Sequence, residues 1–168
     1  MKMKRALALA LALICCLSVA VSFVGCNGGE KESGKDSIYT VNYNGTDIAL
    51  GADAKGVLKA LGTAKDVKEL GDCGGLGAQV KYSYNDLDVY TIKNDKGETV
   101  DQITFRNDLV ATSKGICIGD SSDKVLSAYG EPTSQSDTEI KYVDGKMVLK
   151  FKLEGGNVTD IDLIRVTQ

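Results

Sequence analysis

GADAKGVLKALG, at residues 51–62, and GDSSDKVLSAYG, at residues 119–130, are two similar segments that decide the fold of this chain. Asp53 and Ser121 each precede apolar residues at helical spacing, and each offers a side-chain oxygen to the free amides of a first helical turn. A glycine, Gly62 or Gly130, follows directly, as helix-ending glycines do. The identical positions are Gly51/Gly119, Val57/Val125, Leu58/Leu126, Ala60/Ala128 and Gly62/Gly130. The segments predict two short capped helices and an internal repeat.

Alternating strand patterns follow each predicted helix. Val80, Tyr82 and Tyr84 alternate with polar residues, as do Ile103 and Phe105, and residues 147–153 show the same period. Turn signals stand at Asn44-Gly45, Asp144-Gly145 and Gly155-Gly156-Asn157. We therefore predict an α+β fold of two tandem helix-plus-antiparallel-sheet repeats, at 38–110 and 111–168, with the helices packed on one face of the sheet. One copy alone would bury too little apolar surface, so we expect the two to share a core or a sheet.

The N-terminal segment has the pattern of an export signal. A basic start at Met1–Arg5 precedes an apolar run, and Phe23-Val24-Gly25-Cys26 resembles a bacterial lipobox, in which the cysteine is lipidated and becomes the mature N-terminus. We predict a signal peptide at 1–25, lipid on Cys26, a disordered tether at 26–37, and a lipid-anchored location at a cell membrane, outside the cytoplasm. An uncleaved membrane-spanning helix and an ordinary signal peptide with a chance cysteine are the alternatives.

Composition excludes several function classes. The chain has no histidine, which rules out Ser-His-Asp and Cys-His pairs and imidazole metal sites. Removal of residues 1–25, which carry Lys2, Lys4 and Arg5, changes the net charge from −3 to −6, and an acidic domain has no electrostatic reason to bind nucleic acid. No acid, base and nucleophile assemble from the sequence, so we predict no catalytic residues, metal or cofactor. The negative charges of Asp160 and Asp162 are expected to balance the positive charges of Lys150 and Lys152.

A resemblance to a known group rests on the second segment. The pattern of Gly119, Ser121, Val125, Gly130 and Pro132 resembles the repeat of β-lactamase-inhibitor-protein-like domains. It is also similar to the small lipoprotein of the outer-membrane β-barrel assembly machinery, and to lipoproteins of Gram-positive anaerobes. The first segment departs from the pattern, since an aspartate caps it and no proline follows. The resemblance implies a helix-plus-sheet fold whose second sheet face can dock a protein.

Two cysteines, Cys73 and Cys117, remain after residue 26. In an exported domain they suggest a disulfide that would pin the glycine-rich stretch 71–77 to the strand before the second helix. The alternative is two unpaired residues, with Cys117 buried as a small apolar side chain. The stretch 71–77 lacks the Lys-Ser/Thr of a P-loop, so a flexible turn is favoured over a nucleotide site.

Strand parity predicts a protein-docking face. If Leu87 and Val89 face the helices, then Tyr90 and Ile92 point outward. Arg106, Val148, Lys150, Lys152 and Ile164 would lie on the same side, and exposed tyrosine and arginine beside aliphatic residues are typical of interface hot spots. A merely solvated sheet face is the alternative. The leading hypothesis is a non-enzymatic lipoprotein that binds another envelope or secreted protein, and the second is a small-ligand binder or sensor using the loop 71–77.

Overall fold

The computed structural model describes residues 38–72 and 74–166. Strands account for 51% of this part of the chain and helices for 12%. The elements in chain order are β1 (Thr40–Tyr43), β2 (Thr46–Ala49), α1 (Ala54–Leu61), β3 (Asp66–Asp72), β4 (Ala78–Ser83), β5 (Leu87–Asn94), β6 (Gly97–Phe105), α2 (Ser122–Tyr129), β7 (Ser134–Gln135), β8 (Glu139–Asp144), β9 (Met147–Glu154) and β10 (Asn157–Arg165).

One antiparallel sheet organises the molecule. Its eight strands run in the order β3-β4-β5-β6-β10-β9-β8-β7, while β1 and β2 form a separate two-stranded hairpin. Each group of four strands is a simple meander, and the two groups join where β6 pairs with β10, with Ile103 opposite Leu163. The last strand of each meander, β6 in the first and β10 in the second, therefore lies at the centre of the sheet.

The predicted fold class was wrong. The described chain is mostly β, and it does not consist of two helix-plus-sheet repeats with helices layered on a sheet. Each helix has eight residues, because its capping residue and its terminal glycine leave no more room. Helices this short cannot form a layer over strands of up to nine residues. The expectation that the two units share a sheet is confirmed, because β6 pairs with β10.

The local signals for helix ends and turns are confirmed. Asp53 accepts a hydrogen bond from the Gly56 amide, and Ser121 accepts one from the Lys124 amide. Gly62 and Gly130 end the helices, both at φ 79°. The predicted turns connect β1 to β2, β8 to β9 and β9 to β10. These features depend on residues only a few positions apart, which is why the sequence shows them.

A single apolar core lies against one face of the sheet. The hairpin β1–β2, both helices and alternate residues of the strands all contribute to it. Members that are almost fully buried include Val41, Ile48, Leu87, Val89, Ile103, Val125, Leu149, Phe151, Ile161 and Leu163. Because successive side chains of a strand point to opposite faces, the residues between these core positions lie on the other face of the sheet.

Candidate functional site: the open face of the sheet

The sheet face opposite the core, here called the open face, carries two neighbouring rows of side chains. Leu87 and Val89 are core residues, so Asp88 and Tyr90 point to the open face. The first row, read from cross-strand partners, is Tyr90, Gln102, Ile164 and Val148. The second row is Asp88, Thr104, Asp162 and Lys150. One row is therefore largely aromatic and aliphatic, and the adjacent row is charged.

The first buried carboxylate of the charged row is Asp88. Its side chain is only 3% exposed, and one of its oxygens lies 3.0 Å from Lys81 Nζ and 2.7 Å from Arg106 Nη1. Burial acts to raise the pKa of Asp88, but the interactions with Lys81 and Arg106 help to outweigh it and hold that pKa below its usual value. The carboxylate thus stays ionised and fixes the two cationic side chains above it.

The second buried carboxylate, Asp162, is held in a similar way. It accepts a hydrogen bond of 2.8 Å from the Thr104 hydroxyl and pairs with Lys150 Nζ at 3.2 Å. Lys152 pairs with Asp160 at 3.5 Å farther along the same two strands. The prediction that Asp160 and Asp162 balance the charges of Lys150 and Lys152 is confirmed by these distances.

The aromatic row begins with Tyr90, which is half-buried. Lys81 Nζ lies 5.7 Å from the centre of the Tyr90 ring, within range of a cation–π interaction. Lys81 therefore contacts both Tyr90 and Asp88, and it links the two rows. Ile164 and Val148 continue the row as half-buried aliphatic side chains.

The predicted docking residues divide into two groups. Tyr90, Arg106 and Lys150 come together on the open face, and Lys152 lies at its rim. Ile92 does not belong with them, because it is only 4% exposed and lines a cleft together with Leu76. Sequence reasoning did not identify Asp88 as part of the site; its position between two core residues of one strand was the available signal.

The glycine-rich stretch borders a group of clefts at one end of β5 and β6. Three clefts of about 500, 580 and 440 Å³ adjoin one another, and Asn94 lines all of them. Asp72 accepts hydrogen bonds from the amides of Gly75 and Gly77, and Asn94 donates to the Leu76 carbonyl. The loop is thereby fixed against the hairpin tip between β5 and β6.

The cysteine predictions are only partly covered by the described residues. Cys117 has a free thiol and is half-buried. Burial, with a smaller contribution from Asp120, raises the pKa of this thiol. The unpaired thiol of Cys117 is contrary to the predicted disulfide with Cys73. Cys73 and Cys26 lie outside the described residues, as do the predicted signal peptide and tether, so the lipid anchor stays a prediction.

Three further observations bear on the class of protein. No helix within residues 38–72 and 74–166 has the length and apolar character needed to cross a bilayer. In the same two ranges, no cluster of three or more Cys, Asp or Glu side chains is placed to hold a metal ion. No protein-family model, curated protein or solved structure matches the chain.

Proposed function

We propose that this chain is a lipid-anchored, non-enzymatic module of the cell envelope that binds another protein through its open face. The observation that carries the proposal is the fixed arrangement of Tyr90, Lys81 and Arg106 around the buried carboxylate of Asp88. The helices and the β1–β2 hairpin contribute their buried residues to the core on the opposite side. Among the described residues, these elements therefore do not cover the open face.

The side chains of Lys81 and Arg106 are held in place before any partner binds, and this favours protein binding. Immobilising a flexible side chain on association costs about 0.5–1.5 kcal/mol. Arg106 and Lys81 are already held by Asp88, so a partner that contacts them meets less of this cost. Tyrosine and arginine are also the residues enriched at binding hot spots. A set of surface lysines without a buried anion beneath them would not have this property.

The docking role is tested by site-specific crosslinking with the full-length chain in its own cells. A photo-crosslinking residue is placed at Tyr90, and in a matched variant at Lys124, an exposed cation of α2. A discrete protein adduct from position 90 that is absent from position 124 is the expected result. Identical adduct patterns from both positions, or none from position 90 while the chain is folded and exported, would refute docking through this face.

The anchor is tested separately at Cys26. We expect Cys26→Ser to abolish incorporation of labelled fatty acid, because the thiol that receives the lipid is gone. Cys117→Ser serves as the control, since that thiol lies in the folded domain and should leave labelling unchanged. Labelling that persists in Cys26→Ser would exclude the proposed anchor.

A small-ligand binder remains the second candidate function, and the three adjoining clefts beside residues 74–77 favour it. The first of them combines the polar side chains of Asn94 and Lys96 with the aliphatic side chains of Leu76 and Ile92. A ligand screen by thermal unfolding tests this candidate. A compound that raises the Tm of the wild type but not of Lys96→Ala, with Lys59→Ala as the control, would establish a site in the clefts.

A further inference from the structure

The central charges of the open face lie at two different depths. Asp162 is 8% exposed, whereas its partner Lys150 is 20% exposed. The difference is larger at Asp88, because the side chain of Arg106 is 49% exposed above a carboxylate that is nearly buried. A molecule that approaches the centre of this face therefore meets cations first, although the predicted mature chain is acidic.

The rim of the face differs from its centre. Lys152 and Asp160 are exposed to nearly the same extent, at 49% and 42%, and Lys141 and Glu139 are matched as well. Such exposed pairs present both signs equally to a partner and contribute little to binding. Among these ion pairs, the cation is more exposed than its carboxylate at Lys81, Arg106 and Lys150.

The geometry points to an acidic, partly apolar extended segment of a partner protein as the occupant of the open face. This inference rests on the proposed docking function and names the chemistry of the partner. Carboxylates of the segment pair with Arg106 and Lys150, and its apolar side chains pack along Tyr90, Ile164 and Val148. The charged and apolar rows lie side by side, so alternate side chains of one extended segment reach both.

The dimensions fit a short segment. Each row crosses four strands, which at about 4.8 Å between strands spans about 14 Å. An extended chain rises about 3.3 Å per residue, so four or five residues cover the two rows. A phosphate-rich polymer, or the head groups of an anionic lipid surface, would use the cations but would leave the aliphatic row without a partner.

A defined probe tests the inference. The full chain, purified in detergent, is titrated into a labelled peptide of alternating glutamate and valine, and binding is followed by fluorescence anisotropy. We expect saturable binding that weakens as salt is added, since screening acts on exposed charges. Peptides in which glutamine replaces glutamate, or serine replaces valine, are expected to bind at least five-fold more weakly.

Variants locate the site. Arg106→Gln and Lys150→Gln should each weaken binding of the glutamate–valine peptide at least five-fold. Lys124→Gln removes a cation on α2 that is about as exposed as Arg106, and it should leave binding within two-fold of the wild type. Far-UV circular dichroism and urea unfolding confirm that each variant is folded.

The results that would contradict the acidic segment differ from those that would contradict the docking function. Equal binding of the glutamine–valine peptide, or a loss with Lys124→Gln as large as that with Arg106→Gln, overturns the inference. Binding to polyphosphate or phosphatidylglycerol vesicles in place of the peptide overturns it in favour of a non-protein anion. If Tyr90 crosslinks to a discrete protein but the peptide does not bind, the docking function stands and the acidic segment is wrong.

Discussion

The described chain has two halves that begin in the same way. The first half, residues 51–106, contains α1 and β3–β6, and the second half, residues 119–165, contains α2 and β7–β10. In the first half the Gly51 amide donates to the Val100 carbonyl at 2.7 Å, and the Val100 amide donates to Ala52 at 2.9 Å. In the second half the Gly119 amide donates to Val158, and the Val158 amide donates to Asp120, both at 2.8 Å. Each helix is thus attached to the last strand of its own meander.

The halves differ in their outer strands and in what fills the core. The outer strand of the first half, β3, has seven residues, all exposed, whereas β7 has two. The second half packs Tyr129, Tyr142 and Phe151 together, with ring centres 5.1 to 6.3 Å apart. The clefts and the glycine-rich stretch belong to the first half. Similar local signals therefore support different packing, because packing depends on side chains that are distant in sequence.

The largest expected effect is in the aromatic core of the second half. Phe151→Ala should lower the free energy of unfolding by about 3–5 kcal/mol, because it removes a fully buried ring that contacts Tyr129 and Tyr142. Val67→Ala, on the exposed outer strand of the first half, should change it by less than about 0.5 kcal/mol. Urea unfolding measures both, and equal effects would show that the aromatic cluster does not stabilise the fold.

The next largest loss of stability is expected at Gly77, in the glycine-rich stretch of the first half. A Cβ at Gly77 would lie 2.3 Å from the Lys93 carbonyl oxygen, and φ there is +124°. Gly77→Ala should therefore cost about 1–3 kcal/mol through strain and displacement of the loop. Gly75 also has positive φ, but a Cβ there meets nothing within 4 Å. If Gly75→Ala proves as costly as Gly77→Ala in urea unfolding, close approach to β5 is not what requires glycine at 77.

The helix caps should behave alike in the two halves. Asp53→Ala and Ser121→Ala should each lower the free energy of unfolding by about 1 kcal/mol, because each leaves a first-turn amide without its acceptor. Ser127→Ala, on the exposed surface of α2, removes no cap and should leave stability unchanged or slightly higher. A large effect of only one of the two cap substitutions would break the correspondence between the halves.

The last effect, which appears only at alkaline pH, separates Tyr82 from Tyr142. Burial, together with the hydrogen bond to Glu98, raises the pKa of Tyr82 from 10.0 to about 12. The folded state keeps this proton when the unfolded state has lost it, so the stability it contributes is complete below pH 10 and is lost as pH rises towards 12. Tyr142 donates instead to the uncharged Gly130 carbonyl.

Tyr82→Phe should therefore flatten the alkaline loss of stability more than Tyr142→Phe does. Urea unfolding at a series of pH values from 9 to 12 measures the difference. Glu98→Gln should have an effect of the same sign as Tyr82→Phe, because it removes the carboxylate that opposes tyrosinate formation. Equal flattening by the two tyrosine substitutions would contradict a specific contribution of Glu98.

Strand alternation predicted the side of the sheet on which a side chain lies, but it did not predict burial. Parity correctly placed Tyr90, Arg106 and Lys150 on one side of the sheet, because alternation is a local property of a strand. It also predicted Ile92 as outward and available, but Ile92 lies between Gln79 and Thr99 in the sheet and is nearly buried. Burial at that position depends on cross-strand neighbours and the loop near Leu76, which alternation within one strand does not contain.

The sequence by itself determined the helix caps at Asp53 and Ser121, the terminal glycines and the turns, because each depends on hydrogen bonds between near neighbours. Only the tertiary structure decided that β6 pairs with β10, which turns two predicted units into one mostly β fold. It also decided that Asp88 and Asp162 lie below the cations of the open face. Strand pairing and burial are set by contacts between residues far apart in the chain, and local patterns do not specify them.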